Sequence, residues 1–304
     1  LLLGSPLPTA AEVHQRLSKI QALAVFSSDA LSSVAYATEE ILLALVMAGS
    51  AGMGLSLPIS LTIIGLLAIV ATSYHQTIHG YPSGGGAYIV AYDNLGVWPG
   101  LTAAAALLID YVLTVAVSIT AGVAAITSAF PALLPYRIPL ALLAVALITW
   151  ANLRGVRESG TLFAIPTSGF VLLVLVLIGV GLFRAATGRL APWAEPAVAA
   201  GGVQALTVFL VLRAFASGCT ALTGVEAISN GIPAFRKPEA WNAGKTLVAM
   251  TALLAVMFLG ISLLARLLTI VPAEHETVVS QIGRQVFGPG PLYLALQGAT
   301  AVIL

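Results

Sequence analysis

Charge is what this sequence has least of. Only 8% of its 304 residues are charged, against roughly 25% in a soluble domain, while 59% are hydrophobic and the mean hydropathy is +1.01. A soluble globular domain is excluded. The formal net charge of +1 provides no basic field for nucleic acid, and the single cysteine, Cys219, rules out an internal disulfide. Also missing are a nucleophile with its base, a Walker loop and a dinucleotide fingerprint, so an enzyme reading has nothing to stand on. His14, His75, His79 and His275 fall in loops or at span ends and read as solvated side chains, not as a transition-metal cluster.

What is present is a series of apolar runs that reach the ~20 residues a helix needs to cross hydrocarbon, without the ten-residue alternation of a membrane β-barrel. An all-α membrane protein follows. Spans are expected at about Gln21 to Met47, Leu57 to Thr77, Gly100 to Phe130, Ile138 to Trp150, Thr161 to Phe183, Val203 to Asn230 and Thr246 to Val271, with an eighth starting near Pro291. With the N-terminus in the cytoplasm, the inner loops carry Arg16, Lys19, Arg154, Arg157, Arg236, Lys237 and Lys245, and the outer loops Arg137, Arg184, Arg189 and Arg284. That bias favours a multi-pass protein of the cell membrane with its N-terminus inside. The chain starts at Leu1 and stops at TAVIL within an apolar run, so it reads as a piece of a longer protein; no small-residue cleavage site follows its first apolar run, which disfavours a signal peptide.

Three features interrupt the apolar pattern. The glycines of YPSGGGA, Tyr81 to Ala87, argue against continuous helix and fit a turn or short re-entrant segment, with a surface linker as the alternative. Ala30-Leu31-Ser32-Ser33-Val34 in the first span aligns with Ala221-Leu222-Thr223-Gly224-Val225 in the sixth, each string opening a five-span block, as in an inverted repeat. That divides the chain into a first repeat over residues 1–190 and a partial second one over 191–304. Both strings sit among residues that loosen a helix: Ser27, Ser28, Ser32 and Ser33 in one, Ser217, Gly218, Thr220, Thr223 and Gly224 in the other. Interruptions are expected near Ser28 to Ser33 and near Gly218 to Gly224; the alternative is a small-residue packing face.

The third feature is carboxylates inside the spans, where a charge costs about 2.5 to 3.5 kcal/mol on insertion scales. Asp29 lies at the first expected break, Glu226 just after the second, and Asp110 in the third span. Asp110, Thr114 and Ser118, continued by Gly122, recur every four residues, so one face of an apolar helix is polar and should look toward both breaks. Bonding of those hydroxyls back to their own helix is the competing reading and leaves Asp110 unexplained. Tyr36, two turns after Asp29, either turns its phenol to the same cavity or anchors the interface. Glu39 and Glu40 are placed nearer the outer vestibule, and Arg213 and Arg266 are either counter-ions or snorkelling side chains. This oxygen-rich inventory suits a hard monovalent cation, with a buried carboxyl to exchange a proton.

The strings PSGGGAY, Pro82 to Tyr88, and TGVEAISNG, Thr223 to Gly231, resemble the amino acid-polyamine-organocation (APC) superfamily, whose members share the LeuT-type inverted repeat with broken first and sixth helices. Within it FSSDALSSVAYATEE and LLIDYVLTVAVS are similar to the KimA-type branch of proton-coupled potassium importers. The resemblance extends over nearly the whole chain. Where amino acid permeases carry a glycine-rich string for the substrate carboxylate, this sequence has SSDALSS, and an acid at Asp29 repels a carboxylate and attracts a cation. The resemblance implies potassium coordination by Asp29, Tyr36, Thr114, Ser118 and Thr223, with Asp110 and Glu226 supporting the cation or the proton. It implies no cofactor, a lipid bilayer and a small cation as partners, and further helices and a cytosolic domain beyond this chain, and it leaves open a homodimer formed through those regions. The reading is a secondary transporter importing potassium with protons by alternating access; an amino acid or polyamine permease of the same fold is the alternative, and a channel or non-transporting sensor a different class.

Overall fold

The N-terminal helix begins at a capping box. Ser18 Oγ accepts from the Gln21 N–H, and the Gln21 side chain accepts from the Ser18 N–H at 3.2 Å, so two of the orphan amides of the first turn are satisfied. The computed structural model describes residues 16–153, 160–190 and 204–304; His14, Arg154, Arg157 and Val203 of the sequence reading lie outside them.

In chain order the helices are α1 (Lys19–Ser32), α2 (Val34–Leu45), α3 (Gly49–Met53), α4 (Ser56–Gly80), α5 (Gly86–Leu95), α6 (Val97–Ala129), α7 (Arg137–Leu153), α8 (Gly160–Ala186), α9 (Val208–Gly218), α10 (Ala227–Asn230), α11 (Glu239–Leu267), α12 (Val278–Phe287) and α13 (Pro291–Ile303), joined in places by short 3₁₀ turns. Among the described residues six stretches are long and apolar enough to cross a membrane: Lys19–Met53, Ser56–Gly80, Val97–Ala129, Pro131–Trp150, Ala164–Ala186 and Glu239–Leu267. The expected sixth and eighth spans are the shorter apolar helices Val208–Leu222 and Pro291–Ile303.

Two stretches of the chain, residues 19–129 and 208–303, run through a similar order of parts. In each, an interrupted span leads to a long one, then to a ten-residue helix (α5 or α12), then to the next span. Each of these short helices stops at a glycine of positive φ, Gly96 at 97° and Gly288 at 73°. The packing follows the same correspondence: α2 lies on α9 and α1 on α10, α4 on α11, and α6 on α13, while α5 touches α10 and α12 touches α2.

The core sits where these elements meet, around Leu31, Ile41, Leu45, Ile63, Phe170, Leu177, Phe258 and Ile261, all nearly inaccessible. Small residues let the backbones approach. A Cβ on Gly260 would stand 2.5 Å from Ile178, and one on Gly181 2.8 Å from Leu264, so α8 and α11 each seat a branched side chain over the other's glycine. Between α2, α4 and α11 a buried hydroxyl triad links Thr38 to Ser262 at 2.9 Å and Ser60 to Ser262 at 3.0 Å; such bonds average about 0.6 kcal/mol each in helical membrane proteins. Leu142, Leu143 and Leu147 of α7 are exposed, an apolar exterior suited to lipid.

The two expected interruptions differ in size. At the first, only Ser33 separates α1 from α2; it keeps helical angles, and its N–H still reaches the Asp29 and Leu31 carbonyls. The hydroxyls that compete for those carbonyls are bonded back to them, Ser32 Oγ to Asp29 O at 2.8 Å and Ser33 Oγ to Ala30 O at 2.6 Å, so the serines loosen the helix without unwinding it. The second is a wider departure. After α9 a 3₁₀ turn over Cys219–Leu222 gives way to an extended Thr223 (ψ 144°), then to Gly224 with φ 79°, before α10 begins.

Candidate functional site

The wide interruption lies against the narrow one. A Cβ on Gly224 would stand 2.6 Å from Asp29 Oδ2 and 2.8 Å from the Ala30 amide nitrogen. The left-handed turn there needs a glycine twice over, for its φ and for the carboxylate beside it. Asp29 therefore belongs to both elements at once, half-buried on α1 and seated on the Thr223–Glu226 turn.

Beside it a cavity of about 340 Å³ opens between α1 and α6, lined on the polar side by Ser28, Asp29, Ser32, Tyr111, Thr114 and Ser118 and closed by Ile119, Ile148, Ile303 and Leu304. Every polar side chain of that lining presents oxygen. Among the described residues neither Thr114 nor Ser118 returns its hydroxyl to a carbonyl of α6, although Thr120, Thr127 and Ser128 on the same helix do so. Both residues line the cavity, against the back-bonding alternative.

Tyr36 is buried, and its phenol interacts with the side chains of Ser118 and Thr223, which bridges α2, α6 and the wide interruption. It is no interfacial anchor. The Thr223 hydroxyl donates to Thr220 O at 2.8 Å, so toward the Tyr36 phenol it can act only as an acceptor. Asp110 does not line the cavity, but its charge acts on both Asp29 and Glu226. Glu226 is buried at the head of α10 and lies outside the lining. Its carboxylate interacts with its own backbone and that of Gly224, while Oε1 has no hydrogen-bond partner. The three carboxylates act on one another, and among the described residues no Lys or Arg acts on Asp29 or Glu226. Arg213 and Arg266 are exposed side chains and not their counter-ions.

Glu39 and Glu40 fall outside this group. They border a second cavity of about 220 Å³ with Tyr36, Thr120, Thr277 and Thr300. Glu39 there accepts the Val278 N–H at 3.1 Å, at the start of α12. Tyr36 lines this cavity and also touches residues of the first. His75 and His79 pack on each other and on Gly244, away from both cavities, and no group of three or more His, Cys, Asp or Glu that could hold a metal ion occurs among the described residues.

Four neighbours of the site were not assigned to it from the sequence, although Ser28 and Ser32 were named there as residues that loosen the helix. Ser28 and Ser32 line the cavity from the same face of α1 as Asp29, a four-residue spacing hidden within a serine-rich run. Tyr111 lines it from α6 and its hydroxyl accepts from Asn230 Nδ2 at 2.9 Å. The signal was available: steps of four residues drift by about 40° each on an α-helix, so a row through Thr114 and Ser118 is better continued by Tyr111 than by Asp110. Nothing in the spacing marks Asn230, because its role depends on the fold.

The family model for amino acid permeases matches residues 17–303, and the chain belongs to that family. It is similar, at 51% identity over 303 residues, to the potassium transporter KimA of Bacillus subtilis (strain 168). That match takes in 100% of this chain and 50% of the relative, so the chain spans about half the length of the curated relative it matches.

Proposed function

We propose that this chain forms the ion-handling part of a secondary transporter that imports potassium with protons by alternating access. The observation that carries the reading is the setting of Asp29, a carboxylate seated on the Gly224 turn and opening into an oxygen-lined cavity. Three mutually interacting carboxylates, with no cationic side chain among the described residues acting on Asp29 or Glu226, need a mobile positive charge to balance them, and a hard monovalent cation or a proton supplies it. Potassium would be held by Asp29, Tyr36, Thr114, Ser118 and Thr223, with Asp110 contributing field from outside the lining and Glu226 exchanging the proton. The relative's name, a potassium transporter, agrees with this substrate.

The architecture proposed is the inverted repeat of residues 1–190 and 191–304, with the spans interrupted at Ser33 and at Thr223–Gly224 as its moving parts. The pairwise packing of corresponding elements, α4 on α11 and α6 on α13, and the exchange of short helices, α5 on α10 and α12 on α2, support a two-fold relation of this kind. The cytoplasmic side is proposed to be that of Arg16, the Pro82–Gly86 turn, Arg236 and Lys237. These are tied into one surface by Leu17 N–H to Ala234 O at 2.8 Å, the Arg16–Glu239 ion pair and the contact of Gly84 with Pro233. The partners proposed are the bilayer and the cation, with a homodimer through regions beyond this chain left to experiment.

The family description favours a second reading, an amino acid permease. The carboxylate of Asp29 stands against it, because it occupies the turn where a substrate carboxylate would need bare amides. Uptake into proteoliposomes by the full-length parent, comparing potassium, sodium and a panel of amino acids, separates the two. Potassium uptake driven by an inward proton gradient is expected; accumulation of an amino acid and not of potassium would transfer the function to the permease reading.

A further inference from the structure

Asn230 is the last residue of α10, the short helix that follows the wide interruption, and it meets two otherwise separate parts of the molecule. Gly84, Gly85 and Gly86 have φ of 84°, 95° and 48°, a run of left-handed backbone that returns the chain from α4 into α5. A Cβ on Gly84 would lie 2.8 Å from the Asn230 carbonyl oxygen, and one on Gly86 would collide with Asn230 Oδ1 and lie 3.0 Å from Ser229 Oγ. No side chain fits at Gly86 while Asn230 keeps its place. The turn is moored in its own right, since Asn94 Nδ2 of α5 donates to Tyr81 OH at 2.7 Å.

The other end of the same amide donates to Tyr111 OH at 2.9 Å. Along α6 the polar cavity lining runs Tyr111, Thr114, Ser118, so among these three Tyr111 is nearest the N-terminal end of α6. Asn230 Oδ1 is itself buried without a hydrogen-bond partner. A buried acceptor left unpaired is uncommon and calls for a reason in the position it holds. Here the position joins the floor of the cavity to a turn that three glycines leave free of side chains.

We propose that Asn230 is the positioning residue of the gate on this side: it holds Tyr111 across the cavity floor and reads the position of the Gly84–Gly86 turn, so that displacement of the turn releases Tyr111 and opens the exit. The inference rests on the transport reading. It does not require Asn230 to touch the ion, and it makes Gly86 and Asn230 one unit rather than two packing positions.

The test uses the full-length parent in proteoliposomes, with Cys219→Ser as background and a single cysteine placed at Ile119 in the cavity wall. Labelling by a membrane-impermeant thiol reagent is followed from each side, alongside potassium affinity and uptake. Asn230→Ala and Gly86→Ala should each raise labelling from the side of the turn, on the order of tenfold for a coupling of ordinary size, with potassium affinity unchanged and uptake reduced. In the double variant the smaller side chain at position 230 removes the collision with the methyl added at position 86, so its labelling should be no faster than that of Asn230→Ala alone. Labelling at the parent's rate in both single variants, or effects that multiply in the double variant, would overturn the gate. If Gly86→Ala fails to fold, Asn230→Ala alone decides by whether its labelling from the turn side exceeds the parent's. Absence of potassium uptake in the parent would defeat the transport reading, while the labelling asymmetry would still answer for the gate.

Discussion

Asp29 is the residue on which the account turns. It is the one carboxylate that touches both interrupted spans and lines the cavity, and its neutral isostere keeps the shape. Asp29→Asn is expected to weaken potassium affinity by about ten- to hundredfold, the worth of one charge-assisted contact, with membrane insertion intact; rubidium competition measures it. Thr114→Val removes a neutral oxygen of the same lining and should cost about 1 kcal/mol, roughly fivefold. Glu226→Gln separates two roles. If Glu226 exchanges the proton, the amide cannot replace it, so potassium binding should survive while uptake loses its response to an imposed pH gradient. If it only ties Gly224 and its own amide together, the variant should still follow the gradient as well as the parent, and Asp110 becomes the coupling acid to test. At this scale the sequence was legible where chemistry is costly. Carboxylates in apolar spans stand out whatever the fold, and the fold brings Asp29, Asp110 and Glu226 within reach of one another's charge. Tyr111 and Asn230 were not legible, since a tyrosine and an asparagine cost little near a span's polar face and their pairing depends on contact across 119 positions of chain.

Among the elements, the two interruptions show how far local composition predicts conformation. Content of helix-loosening residues alone marked both, yet Ser33 keeps helical angles and only divides α1 from α2, whereas Thr223 and Gly224 leave the helix entirely. The difference is glycine. Hydroxyls can return to the carbonyls they compete for, as Ser32 and Ser33 do, but a left-handed residue ends the helix outright. Gly224→Ala should therefore act through conformation and contact together, since an L-residue loses about 1–2 kcal/mol in the left-handed region and its methyl meets Asp29 Oδ2. Lower thermal stability with weakened potassium affinity is expected. A variant that loses stability but keeps the affinity of the parent would mean that the turn does not position Asp29. Six of the eight expected spans were legible from apolar length, while the expected sixth and eighth correspond to the shorter apolar helices Val208–Leu222 and Pro291–Ile303. The ten-residue helix α5 was not, because GAYIVAYDNL sits beside a glycine turn and is too short to register as a span.

For the whole molecule, the account requires two faces that are exchanged by the repeat. One carries Arg16, the glycine turn, Arg236 and Lys237; the opposite face carries Arg137 beside Glu274 and His275, with Arg284 paired to Glu276 at 2.8 Å. A cysteine at Lys237 should react with an impermeant reagent only from the cytoplasm, and one at Arg137 only from outside; the reverse pattern would invert the proposed direction of transport. The proposed repeat is legible in the sequence only as two five-residue strings. The pairing of α4 with α11 and of α6 with α13, which supports the proposal, lies in contacts between helices whose sequences do not mark it. The central claim, that a cation is held between Asp29 and the polar face of α6, is tested most directly by anomalous diffraction from crystals of the full-length parent grown with rubidium in place of potassium. The account predicts an anomalous peak within the cavity bounded by Asp29, Tyr111, Thr114 and Ser118, abolished in Asp29→Asn. A cavity without a peak in the parent, with rubidium found instead only between Glu39 and Glu40, would contradict it.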